Sequence, residues 1–331
     1  MLDASPAAIT GTARYYDPSV FAGDGGAAPL CTLAPSTMVD IGLSDVYQDS
    51  CADFAVVHTL PATIADFFGP NQVMTFVVPA ASSQKIISRD AAYLVFGFGG
   101  NGQTVAPWTD STLMYVRSAA SGTQSMISAA IGVPPTKWAG MSQGGSGAVV
   151  TGVNGKNADS LAAESTIGIL AADFADANRP TGPTSGLTIL AFQHTNQNCA
   201  YYPDSTPTAF DKINVRDGHY PIWGPAHFLT RVDGNGRPTN ADVATVLNYI
   251  TTASPTPELV QAEAAAHVVP QCAMKVRHVS EVGPYVPYKP AHSCGCFFEK
   301  QVGAGASCAP CSDALPCSTG QVCSYGYCEA M

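Results

Sequence analysis

Seven of the eleven cysteines in this 331-residue chain (Cys294, Cys296, Cys308, Cys311, Cys317, Cys323 and Cys328) fall after residue 290. No other feature limits the architecture so strongly. A tail of about forty residues cannot enclose a hydrophobic core of its own, so cross-links must hold it together. Its spacing, C-x-C and then irregular gaps rich in Gly, Ser and Pro, points to a disulfide-stapled module. Cys308-Ala-Pro-Cys311 is the one ligand-like spacing that keeps zinc as the alternative. Disulfides imply an oxidising compartment: the periplasm, the cell surface or the exterior. The total is odd, so at least one cysteine is free or has its partner on another chain.

The rest of the chain is long enough for two ordinary domains. Hydrophobic residues make up 46% and charged residues 12%, a composition that can bury a large core. The net charge of −10, with no Lys/Arg cluster, excludes a general nucleic-acid or anionic-membrane surface. No window carries the run of about eighteen apolar residues that a membrane helix needs. The opening MLDASPAAITGTARYY has neither a basic n-region nor an apolar h-region. The expectation is a chain whose signal peptide has been removed or that begins inside a longer protein.

Strand and helix signals alternate along the body. Val39–Ile41 reads as a short strand ending in a Gly-x-Ser-Asp turn, and VMTFVVPAA at 73–81 as a buried strand. Helical spacing over Ile86–Phe98 stops at Gly99-Gly100. Leu113–Val116, Thr166–Ala171, Leu187–Phe192 and residues 220–233 read as strands, Ser125–Ile131 and 240–266 as helices, and DGNG at 233–236 as a turn. This alternation predicts α/β layers with mostly parallel sheets.

Between one strand and the helix after it stands R-S-A-A-S-G-T, residues 117–123. Ser121 and Gln124 match a capping box, which by itself is only a good helix start. Arg117 adds a guanidinium at a strand end, close to two hydroxyls, a glycine without Cβ and the free amides of a helix N-terminus. That combination is an anion site. The overall negative charge does not forbid it, because exposed charges beyond about 8–10 Å are screened.

With its spacing, R-x-x-x-S-G-T resembles the second-domain binding loop of the phosphate-binding periplasmic proteins of bacterial ABC importers. Other landmarks follow in the same order. Ile41-Gly42-Leu43-Ser44-Asp45 resembles the family's Ser-Asp loop, and VMTFVVP its crossing strand. Pro107-Trp108-Thr109-Asp110, Ile167-Gly168-Ile169 and Tyr220-Pro221-Ile222 complete the set, which covers about residues 35–235. The resemblance implies a two-lobed type 2 periplasmic-binding-protein-like α/β fold with the small disulfide-rich C-terminal module appended. Residues 1–79 and 196–290 would form the first lobe, 80–195 the second and 291–331 the tail. It further implies a non-enzymatic, periplasmic or secreted monomer that captures phosphate or a similar oxyanion and passes it to a membrane transporter, without cofactor or metal. Arg117, Ser121, Gly122 and Thr123 would hold the ligand, with Ser44 and Asp45 facing it. An acidic acceptor at Asp45 can take a proton from hydrogenphosphate but meets sulfate acceptor to acceptor.

Two departures stand out: nothing before residue 35 matches the family's opening strand and loop, which predicts an N-terminally shortened chain, and the Cys-rich tail lies outside the pattern. Two other readings compete. Gly140-Met141-Ser142-Gln143-Gly144 matches the G-x-S-x-G nucleophile elbow of α/β-hydrolases, but V-P-P-T-K-W-A before it is a poor central strand. Asp217 and His219 are the acid and histidine such an esterase could use. Alternatively the chain is an extracellular interaction protein acting through its tail. The seven histidines stand singly, without H-x-x-x-H pairs, and read as structural or surface residues.

Overall fold

The computed structural model describes residues 12–14, 30–32, 39–50, 59–99 and 105–330. The strands are β1 (Thr12–Arg14), β2 (Leu30–Thr32), β3 (Ile41–Ser44), β4 (Ile64–Pro79), β5 (Ile86–Ser88), β6 (Met114–Val116), β7 (Met141–Ser142), β8 (Ile167–Ala171), β9 (Leu187–Ile189), β10 (Ala191–Gln193), β11 (Trp223–Arg231), β12 (Val276–His278), β13 (Tyr285–Pro287), β14 (Gln321–Ser324) and β15 (Tyr327–Ala330). The helices are α1 (Arg89–Phe98), α2 (Gly122–Ile131), α3 (Ser146–Asn154), α4 (Ser160–Ser165), α5 (Ala172–Ala177), α6 (Ile213–Arg216), α7 (Ala241–Ile250), α8 (Pro257–Ala265) and α9 (Gly295–Gln301).

The expected α/β layering is present, but the main sheet is mixed, not mostly parallel. Its order is β3-β11-β4-β8-β6-β7, with β9 also paired to β4. Within that sheet β8, β6 and β7 are mutually parallel; β4 runs antiparallel to β8, β9 and β11, and β11 to β3. β4 is far longer than the apolar run predicted. Ile64 to Val73 pair with β11, and Met74 to Pro79 with β8 and β9. The turn-like Gly69-Pro70 lies inside it, and the partner strand shifts register between Pro225 and His227, an irregularity of the kind that accommodates Gly and Pro in a strand. The V-M-T-F-V-V-P half is buried throughout, as a continuous apolar run with both faces covered requires.

Three local expectations change. Gly42–Ser44 belong to β3, not to a turn, because they pair with β11. Ile86–Ser88 are a strand paired with β10, and α1 starts only at Arg89, where Ser88 Oγ caps the Ala91 amide. The predicted strand at 187–192 is split into β9 and β10, which join different sheets. The DGNG turn stands: Asp233 Oδ1 accepts from the amides of Asn235 and Arg237.

One face of the sheet carries the larger core, in which Phe76, Phe96, Met126, Ile127 and Trp223 are buried. The opposite face packs Val77, Tyr115 and Leu170 under Val149 and Val153 of α3. α3 approaches closely because Gly152 faces the Tyr115 ring and Gly168 faces Val153, where a Cβ would lie 2.8 Å from Val153 Cγ2.

The tail is disulfide-bonded, as expected, with bridges Cys296–Cys308, Cys311–Cys323 and Cys317–Cys328. It is also fastened to the body. Its seventh cysteine, Cys294, bonds Cys272 of the body, and Cys294 and Phe298 belong to the larger core. Arg216 Nη1 donates to Glu299 Oε1 at 2.9 Å, and the Tyr325 hydroxyl donates to Pro255 O at 2.6 Å. A forty-residue tail without a core gains stability by sharing that of its neighbour. Cys199 is free and exposed. No described helix is long and apolar enough to cross a membrane. The expectation of a shortened N-terminus concerns the chain before residue 35, of which residues 1–11, 15–29 and 33–34 lie outside the described residues.

Candidate functional site

Parallel strands bring their carboxyl ends to one side of a sheet, where the following loops and helix N-termini converge. Here β6 leads through residues 117–121 into α2, and β7 leads through Gln143–Gly145 into α3. Arg117 stands directly after β6. Its Nη1 donates to Ser146 Oγ, in the first residue of α3, at 2.6 Å, while its buried Nε has no hydrogen-bond partner. The guanidinium is thus anchored at one corner and retains donor capacity. Gly144, Gly145 and Gly147 beside it have nothing within 4 Å of where a Cβ would lie, so this Gly-rich turn faces open space.

Asp45, one residue past β3, sits against the N-terminus of α2. A Cβ at Gly122 would lie 2.6 Å from Asp45 Oδ2, so only glycine admits the carboxylate so close to the helix end. Asp45 therefore takes the place of an anion at the positive end of α2. Burial raises its pKa above the usual carboxylate value, opposed by a hydrogen bond from Gln72 and by the charges of Arg117 and His227. Asp173, in the first turn of α5, is likewise raised by burial, with the Asp45 charge adding to the shift. One Asp173 oxygen, Oδ1, is buried without a partner. Glu281 completes the acidic surround. Its Oε2 accepts from the Tyr47 amide at 3.1 Å, and burial pushes its pKa up to about 8, with Asp45 contributing.

Of the residues expected at the site, Gly122 and Asp45 are in contact, and Arg117 is near enough to lower the pKa of Asp45. Thr123 is buried in the first turn of α2, and Ser121 is its half-buried N-cap residue. The capping box does not form. Ser121 makes no side-chain cap bond, and Gln124 Nε2 donates to Pro135 O at 2.8 Å. Proline 135 attracts Gln124 across the turn that follows α2, which leaves the Ser121 hydroxyl uncommitted to the cap. Ser44 Oγ is engaged locally, donating to Val46 O and accepting from Val46 N.

Ser142 lies in better context than its sequence suggests. Met141 and Ser142 form a strand parallel to β6, followed by a turn and α3, and the side chain is exposed. The suggested partners are committed elsewhere: Asp217 pairs with Lys275 at 2.8 Å, and His219 stacks on Tyr201. Among the described residues no histidine hydrogen-bonds Ser142.

Sequence reasoning missed Asp173, Ser146, Glu281 and His227. His227 is buried on β11 with Nδ1 2.7 Å from Asp66 Oδ2, and its Nε2 is without a partner. β11 places His227 opposite Ser44, a cross-strand register that no local motif encodes. Among the described residues, two groups of potential metal ligands, Cys311/Cys317/Cys328 and Cys296/Cys308/Glu329, involve only cysteines already joined in disulfides apart from Glu329.

No protein-family model matches the chain, and no curated protein is similar to it in sequence at a significant level. Among solved structures it is similar to an ABC-type phosphate transport receptor from Vibrio cholerae, with 12% identity and a TM-score of 0.45 over 70% of this chain and 79% of that one. It is also similar to a DING protein, with 17% identity and a TM-score of 0.43 over 71% and 77%. A third is PstS from Borrelia burgdorferi, with 12% identity and a TM-score of 0.40 over 70% and 79%.

Proposed function

We propose that this chain is a periplasmic or secreted solute-binding protein that captures phosphate or a related oxyanion, without catalysis, for a membrane transporter. The supporting observation is the convergence of Arg117, the N-terminus of α2 and Asp45 at the carboxyl end of the parallel strands. The ligand accepts from Arg117 and from the amides and hydroxyls of Ser121, Gly122 and Thr123. Asp45 yields its place on α2 and accepts the proton of hydrogenphosphate; Ser44 remains a cleft residue whose hydroxyl must leave Val46 to take part. In this reading residues 1–79 and 196–290 form one lobe and 80–195 the other, with β4 running between them. Opening of the lobes is what withdraws Asp45 from Gly122.

Calorimetric titration with phosphate tests this. Arg117→Ala is expected to weaken binding by about a hundredfold or more, since a buried anion loses its charge partner. Unchanged affinity in that variant refutes the site. A second reading, an esterase using Ser142, draws support from the β7–turn–α3 geometry, and ester turnover abolished by Ser142→Ala would favour it.

A further inference from the structure

A second cavity, about 580 Å³ in volume, lies between β4, β12 and the turn joining α7 to α8. Its wall includes Tyr47, Phe68, Trp223 and Tyr288, together with Asp66 and Arg277. None of the six residues assigned to the oxyanion lines it. Its size is that of a small-molecule site.

The aromatic wall is fixed from behind. Tyr47 and Phe68 both pack edge-on against His227, with ring centroids 4.5 and 5.2 Å away. The Tyr47 hydroxyl donates to His278 O at 3.1 Å. Trp223 packs on His278 at 4.4 Å and stacks on Tyr285 at 6.1 Å. These rings need no rearrangement to receive an apolar body, so little ordering cost falls on binding.

The two charges in the wall differ in how they are met. Asp66 Oδ2 already accepts from His227 Nδ1 at 2.7 Å, and its Oδ1 has no partner but is buried away from the open space of the cavity. Arg277, exposed on β12, makes no ion pair among the described residues, although Tyr47 and Tyr288 lie within its field. The exposed unmet charge of the cavity is therefore positive and belongs to a planar guanidinium, which matches a carboxylate in bidentate fashion. A bare inorganic anion would leave the aromatic walls wet, and an organic cation would meet Arg277 without compensation.

We propose that this cavity is a second ligand site, for a small carboxylate with an aromatic or apolar body. The carboxylate pairs with Arg277, and the body lies among Tyr47, Phe68, Trp223 and Tyr288. Phenylacetate, benzyl alcohol and benzylamine share a ring and differ in charge, so they test the claim on the whole chain by saturation-transfer NMR and calorimetry. Phenylacetate is expected to bind at least about tenfold more tightly than either of the others, the scale of a charge-assisted pair. Arg277→Gln, at an exposed position without an ion pair among the described residues, is expected to bring phenylacetate down to the level of benzyl alcohol. Arg117→Ala is expected to leave phenylacetate binding unchanged, which separates this site from the oxyanion site. The proposal is overturned if benzyl alcohol or benzylamine binds as well as phenylacetate, or if none of the three binds at millimolar concentration. It is equally overturned if Arg277→Gln has no effect or if Arg117→Ala abolishes binding.

Discussion

Two polar clusters in this molecule use the same ingredients, a pair of aspartates and strong cations, to opposite ends. In the first, Lys212 Nζ lies 2.7 Å from Asp176 Oδ2 and 2.8 Å from Asp204 Oδ1, while Arg179 reaches the remaining oxygen of each aspartate. Every carboxylate oxygen there has a cationic partner. In the second, burial raises the pKa of both Asp45 and Asp173, the Asp45 charge adds to the shift of Asp173, Asp173 Oδ1 has no partner, and Arg117 spends one donor on Ser146 and leaves Nε unpaired. A closed cluster ties α5 to the chain around Lys212. The open one leaves Arg117 Nε and Asp173 Oδ1 without partners, where buried polar groups are otherwise satisfied. The clusters differ in how completely charge is matched and also in burial: Asp176, Asp204 and Lys212 are buried, whereas Asp45, Asp173 and Arg117 are half-buried.

The sharpest way to break the comparison is to open the closed cluster. Lys212→Met keeps the length of the side chain but leaves two buried carboxylates to share Arg179 alone, and is expected to cost about 3–5 kcal/mol of stability, measured by denaturant unfolding. Arg117→Ala in the open cluster is expected to cost less than about 1 kcal/mol, since its partners are few. Equal losses in the two variants would erase the distinction.

The pH dependence of stability gives the next largest effect. Glu281 is pushed up to about 8 from an ordinary 4.5, so the folded chain keeps a proton that the unfolded chain releases. Its contribution is complete below about pH 4.5 and is lost as pH rises through about 8. Glu281→Gln should flatten that fall by on the order of 2 kcal/mol, read from Tm across the range. Asp45 and Asp173, shifted in the same direction, should preserve a smaller slope. A slope unchanged in Glu281→Gln would show that the acidic surround of the open cluster is not strained.

Selectivity sharpens the role of Asp45. Asp45→Asn offers an amide donor where the carboxylate only accepts, and should raise sulfate affinity relative to phosphate by about tenfold in paired titrations. An unaltered ratio would leave Asp45 as a structural neighbour of Gly122. The smallest expected effect is none at all: Ser142→Ala should not change any trace rate of ester hydrolysis, and a hundredfold drop would reopen the esterase reading.

Legibility in the sequence followed the range of the interaction. The V-M-T-F-V-V-P strand, the helix stop at Gly132, the 233–236 turn and the stapling of the tail were readable because each is set by neighbours in the chain or by cysteine chemistry. The capping box was misread because Pro135, a residue outside the helix, claims the side chain of Gln124. β7 was missed because two residues can form a strand only when a neighbour such as β6 supplies the pairing.

The sequence by itself determined an α/β body, a cross-linked tail and a guanidinium poised before a Ser-Gly-Thr helix start, since periodicity, spacing and side-chain chemistry are local properties. Only the tertiary structure decided that the sheet is mixed, that Cys294 fastens the tail to Cys272, and that Asp45 lies on Gly122 across 77 positions of chain. It also decided which buried charges are matched and which are not. Pairing between distant segments depends on register and packing over the whole core, and a one-residue slip would send each of these side chains to the other face.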